Sequence, residues 1–191
     1  MRFLRDALLT VAILVVVFLV VGYASIGNLF SATSEPGRLE SSLAVQVRNL
    51  SIPADEKRAR NPFADRQDAW REGADHFGDH CALCHGEGGR GGGEIGANLY
   101  PRVPDMTRPR TQNLTDGEIF YIISNGVRWT GMPAWKKEHT PEETWRLVSF
   151  IRHLPSLTPA ELEQIEKASE QPHADEHPHD EGGHDHPKQK K

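Results

Sequence analysis

The chain has 191 residues, 22 Lys+Arg against 27 Asp+Glu and a formal net charge of −5, with aromatics at 7% and as many as 17 Gly and 13 Pro. That length allows one domain with extensions. Residues 62–157 carry 11 basic against 13 acidic side chains, and most of the excess acidity lies in 158–191, with 4 against 9. A nearly balanced middle offers no basic surface for nucleic acid.

From Ala7 to Tyr23 the chain is uncharged and almost wholly apolar, preceded by Arg2 and Arg5. Residues 1–30 are read as a single-pass transmembrane anchor, long enough as a helix to cross a hydrocarbon core of about 30 Å, with the arginines on the cytoplasmic side. A cleaved signal peptide ending at Gly22-Tyr23-Ala24 is the competing reading, but the apolar run exceeds the usual ~7–15 residues of such segments. Both readings deliver the remainder to the periplasmic, extracytoplasmic side of the cytoplasmic membrane. Residues 31–61 mix Ser, Pro, Gly, Glu and Arg with a weak apolar pattern at Leu43, Val45, Val47 and Leu50, and are read as a linker that folds back on the domain.

The domain is expected over 62–157. Between about Phe63 and His80 apolar and small residues recur at helical spacing, with Gly73, Phe77 and Cys81 at successive i, i+4 positions on one face. A glycine inside a helix, at a cost of about 1 kcal/mol, is tolerated where a second helix approaches closely. Cys81-Ala82-Leu83-Cys84-His85 follows, and these are the only 2 cysteines. C-x-x-C-H is the signature of covalent c-type haem attachment, two thiols bonding one porphyrin and the adjacent imidazole reaching its iron. A thioredoxin-like dithiol lacks its preceding strand, and a zinc site lacks two further ligands at suitable spacing. In an oxidising compartment thioether bonds also keep the two thiols from forming a disulfide.

The segment 86–96 is too glycine-rich for regular structure and is read as a flexible loop beside the porphyrin. It lacks the preceding strand and the G-K-[ST] ending of a phosphate loop. Thr115-Asp116-Gly117-Glu118 is a capping box opening a short helix that Asn125-Gly126 ends. Thr140-Pro141-Glu142-Glu143 opens another, running to about His153 before Pro155, with Leu147, Phe150 and Ile151 on its apolar face. Residues 158–171 form a short acidic helix. Residues 172–191, with His173, His177, His179, His184 and His186 among Asp, Glu, Pro and Gly, are expected to be disordered. Loose divalent-metal binding there is chemically reasonable. His76 and His80 form an i, i+4 pair on what reads as a solvated face, and His139 and His153 read as surface residues near helix ends.

From about Arg71 to Pro155 the chain resembles a class I c-type cytochrome domain. The resemblance rests on Gly73, Phe77 and Cys81-x-x-Cys84-His85, on Asn125-Gly126 followed by Gly131-Met132-Pro133-Ala134-Trp135, and on Leu147, Phe150 and Ile151. It implies an all-α fold of three main helices wrapped round one covalent haem c. In that family the first and last helices cross near the glycine, and a late methionine completes the iron's coordination, here Met132 opposite His85. Met106, only 21 positions after His85, falls where the chain should still be on the histidine side. The family's proline carbonyl that accepts from the ligating imidazole has no exact counterpart; Ala97 stands in that slot, with Pro101 and Pro104 nearby. Arg128 and Trp129 are candidate partners for the haem propionates.

The implied function is electron transfer without catalysis: a membrane-anchored mono-haem cytochrome c passing single electrons between extracytoplasmic redox partners. The alternatives are a cytochrome subunit of a larger membrane-bound oxidoreductase, such as a respiratory or dehydrogenase complex, a haem-based sensor in which Met132 dissociates, and a metal-handling protein acting through the histidine tail.

Overall fold

The computed structural model describes residues 2–29 and 31–169. The tail at 172–191, read as a disordered, solvating segment with loose metal binding as the alternative, lies outside the described residues. The fold is all-helical. Helix α1 (Arg2–Leu29) is uncharged beyond Asp6, and its stretch Arg2–Ile26, with none of its most apolar window buried, is long enough to cross a membrane. Next come α2 (Arg38–Ser51), α3 (Ala54–Lys57), α4 (Ala69–His80), α5 (Ala82–His85), α6 (Pro109–Gln112), α7 (Asp116–Asn125), α8 (Pro141–His153) and α9 (Pro159–Ser169), with 3-10 turns at Gly96–Asn98 and Leu154–Ser156.

The expectation of three main helices therefore undercounts. The three main helices expected of the domain are α4, α7 and α8, with α1 and α9 expected separately as anchor and acidic helix. Helices α3, α5 and α6 have four residues each, too short for apolar periodicity to register. Helix α2 replaces the expected irregular tether.

The core forms where α4 crosses α8. Phe77 and Phe150 meet with ring centroids 4.9 Å apart, and Ala74, Leu147, Val148, Ile151 and Leu154 are buried around them. A Cβ at Gly73 would overlap the carbonyl oxygen of Arg146 and lie 2.6 Å from its carbon, so the crossing depends on the missing side chain. Both capping boxes are formed: Thr115 Oγ1 accepts from Glu118 N at 3.2 Å, and Thr140 Oγ1 from Glu143 N at 3.3 Å. Helix α7 ends at Gly126 with φ +66°, a left-handed turn that favours glycine. Arg152 of α8 then ties the layers together. It donates to Asp116 Oδ1 at 2.7 Å, to the Gln112 carbonyl at 2.8 Å and to the Leu114 carbonyl.

Packing begins upstream of residue 62. Ile52 and Asn61 are buried, and Thr115 Oγ1 donates to the Lys57 carbonyl at 2.8 Å. A Cβ at Gly117 would collide with the Glu56 carbonyl, so α3 lies directly on α7. Asn61 Nδ2 donates to the Trp145 carbonyl at 3.2 Å and to Ser149 Oγ at 2.9 Å, joining this segment to α8. Asn61→Ala removes these two bonds and the one that Phe63 N donates to Asn61 Oδ1 at 2.9 Å, and is expected to destabilise the domain by about 1–3 kcal/mol in a denaturant titration.

Helix α2 also reaches the domain. Glu40 accepts from the Tyr100 hydroxyl, and Glu35, three residues before the helix starts, pairs with Arg102 at 3.2 Å. Its other face exposes Leu39, Leu43, Val47 and Leu50, spaced at helical intervals.

Candidate functional site

The short helix α5 begins directly where α4 ends. Cys81 caps α4 by donating its N–H to the Phe77 carbonyl at 2.9 Å, and its own carbonyl accepts from His85 N at 2.8 Å. Cys81, Cys84 and His85 are thus delivered together at the end of the helix that Gly73 and Phe77 seat against α8. The glycine-rich loop then returns over them. Cβ atoms at Gly93 or Gly96 would strike the carbonyls of residues 82–84, so these glycines allow close backbone contact where the sequence suggests only open space. Gly91 N donates to the His85 carbonyl at 2.8 Å, fixing the loop to the motif.

These residues line a cleft of about 240 Å³ that Met132 also lines. Its walls are mostly aliphatic, with Leu99, Val103, Leu114, Ile119, Ile123 and Leu147 among them. Met132 is half-buried and sits in a loop held back against α7. Its carbonyl accepts from Val127 N at 3.1 Å, its N–H donates to Thr130 Oγ1 at 3.1 Å, and Trp135 N donates to the Ile123 carbonyl at 3.2 Å. Met106 lines the cleft too, but it is 6% exposed and belongs to the core. Its N–H donates to the Gly89 carbonyl at 2.8 Å, on the loop that follows His85.

Burial sets the proton states. The His85 imidazole is pushed down to about 4, so it is neutral at ordinary pH, the form that can ligate a metal. The Cys81 thiol is pushed up to about 12 by burial and, second, by Cys84. A redox dithiol works through a thiol of lowered pKa, so this shift opposes the thioredoxin-like reading. His85 Nδ1 is buried without a hydrogen-bond partner, and none of the carbonyls of Ala97, Pro101 and Pro104 supplies one. A neutral imidazole, two thiols, a thioether and an apolar cleft suit a porphyrin iron.

Several cleft residues escaped the sequence reading. Ala44, Val45 and Arg48 come from α2, and Arg102 and Arg110 from the chain after the loop. Burial, followed by the neighbouring Arg110, pulls the pKa of Arg48 below its ordinary value. Arg128 and Trp129, the expected propionate partners, are exposed and do not line the cleft; Trp129 is 89% exposed with φ +60°. A guanidinium in a linker carries no local signal of a site, and only the folding back of α2 brings it there.

His139 corrects the sequence reading more sharply. Expected at the surface, it is 7% exposed, because its N–H donates to the Trp135 carbonyl at 2.8 Å and its ring stacks on Trp135 with centroids 5.0 Å apart. His153 is likewise covered on one side, stacked on Trp70 at 3.9 Å.

Residues 68–151 match the family model for cytochrome C oxidase, cbb3-type, subunit III. The chain is also 31% identical over 125 residues to the cbb3-type cytochrome c oxidase subunit FixP of Azorhizobium caulinodans, an alignment covering 60% of this chain and 34% of that protein. The chain thus spans about a third of the length of the relative it matches. Helix α1 anchors the chain to the membrane with the main domain on the extracytoplasmic side. The matched helical domain carries the Cys-x-x-Cys-His motif and is similar to the subunits of cbb3-type oxidases that these comparisons name.

Proposed function

We propose that this chain is a membrane-anchored cytochrome subunit of a respiratory oxidase complex of the cbb3 type, relaying single electrons through one haem c. Cys81 and Cys84 would hold the group covalently, and His85 and Met132 would bind its iron. The observation that carries this reading is that these four residues, far apart in chemistry and partly in sequence, line one apolar cleft. The group supplies Fe(II)/Fe(III) cycling, with thioether ligation favouring the reduced state.

The chain's own part is to position and to shield. The α4–α8 crossing fixes the cysteines and His85, the contacts of α7 with residues 127–135 hold Met132, and the aliphatic walls keep water from the metal. Arg48, Arg102 and Arg110 are the cations available to the propionates, the role first assigned to Arg128 and Trp129. With His85 and Met132 both committed to the iron, no substrate would reach it, so the subunit would carry electrons and leave the chemistry on oxygen to another polypeptide.

The family match and the similarity to FixP favour a subunit of a complex over a free shuttle. Purification through an affinity tag from mild detergent distinguishes the two. A subunit brings down a haem-containing oxidase partner in fixed molar ratio through successive columns, whereas a shuttle elutes alone.

A further inference from the structure

Three histidines that take no part in the cleft's proposed haem ligation converge beside it. His76 and His80 stand one turn apart on α4, and His139 immediately precedes the Thr140 cap of α8. One ring nitrogen of each lies within 4.8 Å of the others. His139 is the buried member, and both its ring nitrogens lack a hydrogen-bond partner. Leaving a buried polar group unsatisfied is costly, so an imidazole held in this state points to a ligand the protein alone does not provide.

We propose that His76, His80 and His139 bind one divalent transition-metal cation of the kind imidazole favours, Zn2+ or Cu2+, clamping α4 to the start of α8. Tetrahedral coordination at about 2.0–2.1 Å places ligand nitrogens roughly 3.3 Å apart. The present spacing closes to that by rotation of His76 and His80, which are half-buried and exposed, toward a fixed His139. The carboxylate of Glu143 lies 3.5 Å from His76 Nε2 and sets a negative charge beside the cation, while its other oxygen accepts from Thr140 N at 2.7 Å and so holds it in place. Trp135 supports His139 from one side and lines the haem cleft from the other, so the cation would sit against the cleft without using any of its four proposed haem ligands.

The full-length protein, stripped of metal by chelator and kept in detergent, is unfolded by heat with and without excess Zn2+, followed by far-UV circular dichroism. Binding to the folded state alone raises Tm, here by about 5 °C or more. His80→Gln, an exposed change, should remove that rise while leaving the metal-free Tm unaltered. Replacing the five tail histidines His173, His177, His179, His184 and His186 with glutamine should preserve it. No rise in the parent protein, or a rise that persists in His80→Gln, overturns the proposal. So does a rise lost only with the tail histidines, which would assign the metal to the tail. Because the readout is the stability of helices, it stands or falls independently of the haem ligand assignment.

Discussion

Gly73→Ala is expected to destabilise the haem-loaded protein by roughly 2–3 kcal/mol, the upper part of the range for overpacking a filled interior. In an exposed helix the same change would be favourable by about 1 kcal/mol, since alanine is the better helix former. The sign reverses because the new methyl would meet the backbone of Arg146, which has no rotamer to escape by, where α4 and α8 cross. Relief requires the helices to separate, and that loosens Phe77 against Phe150 and shifts the start of α5, which carries both cysteines. Equilibrium urea unfolding measures the effect. A variant as stable as the parent, or more so, would remove the crossing from its central position in this fold.

Met132→Ala is expected to leave the fold standing and change the metal. Its side chain is half-buried, and its loop is held by backbone hydrogen bonds that survive truncation. With the thioether gone, the midpoint potential should fall by on the order of 0.1 V, a modest part of the ~0.8 V that axial ligands span, and the reduced protein should bind carbon monoxide. Met106→Ala should do the opposite. That side chain belongs to the core at 6% exposed, so its loss should cost about 2–5 kcal/mol of stability and leave potential and carbon monoxide inertness unchanged. Potentiometric titration and carbon monoxide difference spectra of the two variants separate the roles, and an unchanged potential in Met132→Ala would withdraw it as a ligand.

What the sequence made legible follows the range over which each signal acts. The capping boxes at Thr115 and Thr140 and the left-handed Gly126 are local chemistry, and each helix begins or ends where they stand. The C-x-x-C-H motif is equally local, and the chain places Met132 in the same cleft although 47 residues of sequence separate it from His85. Helix α2 was nearly legible: Leu39, Leu43, Val47 and Leu50 keep a helical period, but beginning at Leu43 and adding Val45 suggests alternation instead. The part it plays in the cleft, through Ala44, Val45 and Arg48, was not legible, since nothing in a charged linker announces which surface it returns to. His139 shows the same limit. Its neighbours Glu138 and Thr140 are exposed, and its burial comes from Trp135 four residues earlier and from α4, which is nearly sixty residues away in the chain.

The polar residues that line a site from outside its motif are thus the ones only tertiary structure can recruit. Arg48, Arg102 and Arg110 surround the cleft from two segments that no single periodicity connects. The apolar core, by contrast, follows from Phe77, Leu147, Phe150 and Ile151, whose helical spacing is visible in the chain itself.

The central claim is that one porphyrin is bonded to Cys81 and Cys84, and intact-protein mass spectrometry of the denatured, purified chain tests it most directly. The account predicts the polypeptide mass plus a single haem, reverting to polypeptide alone when both cysteines are changed to serine. A parent chain whose mass is that of its amino acids alone, or whose colour is extracted by acidified acetone, would contradict it.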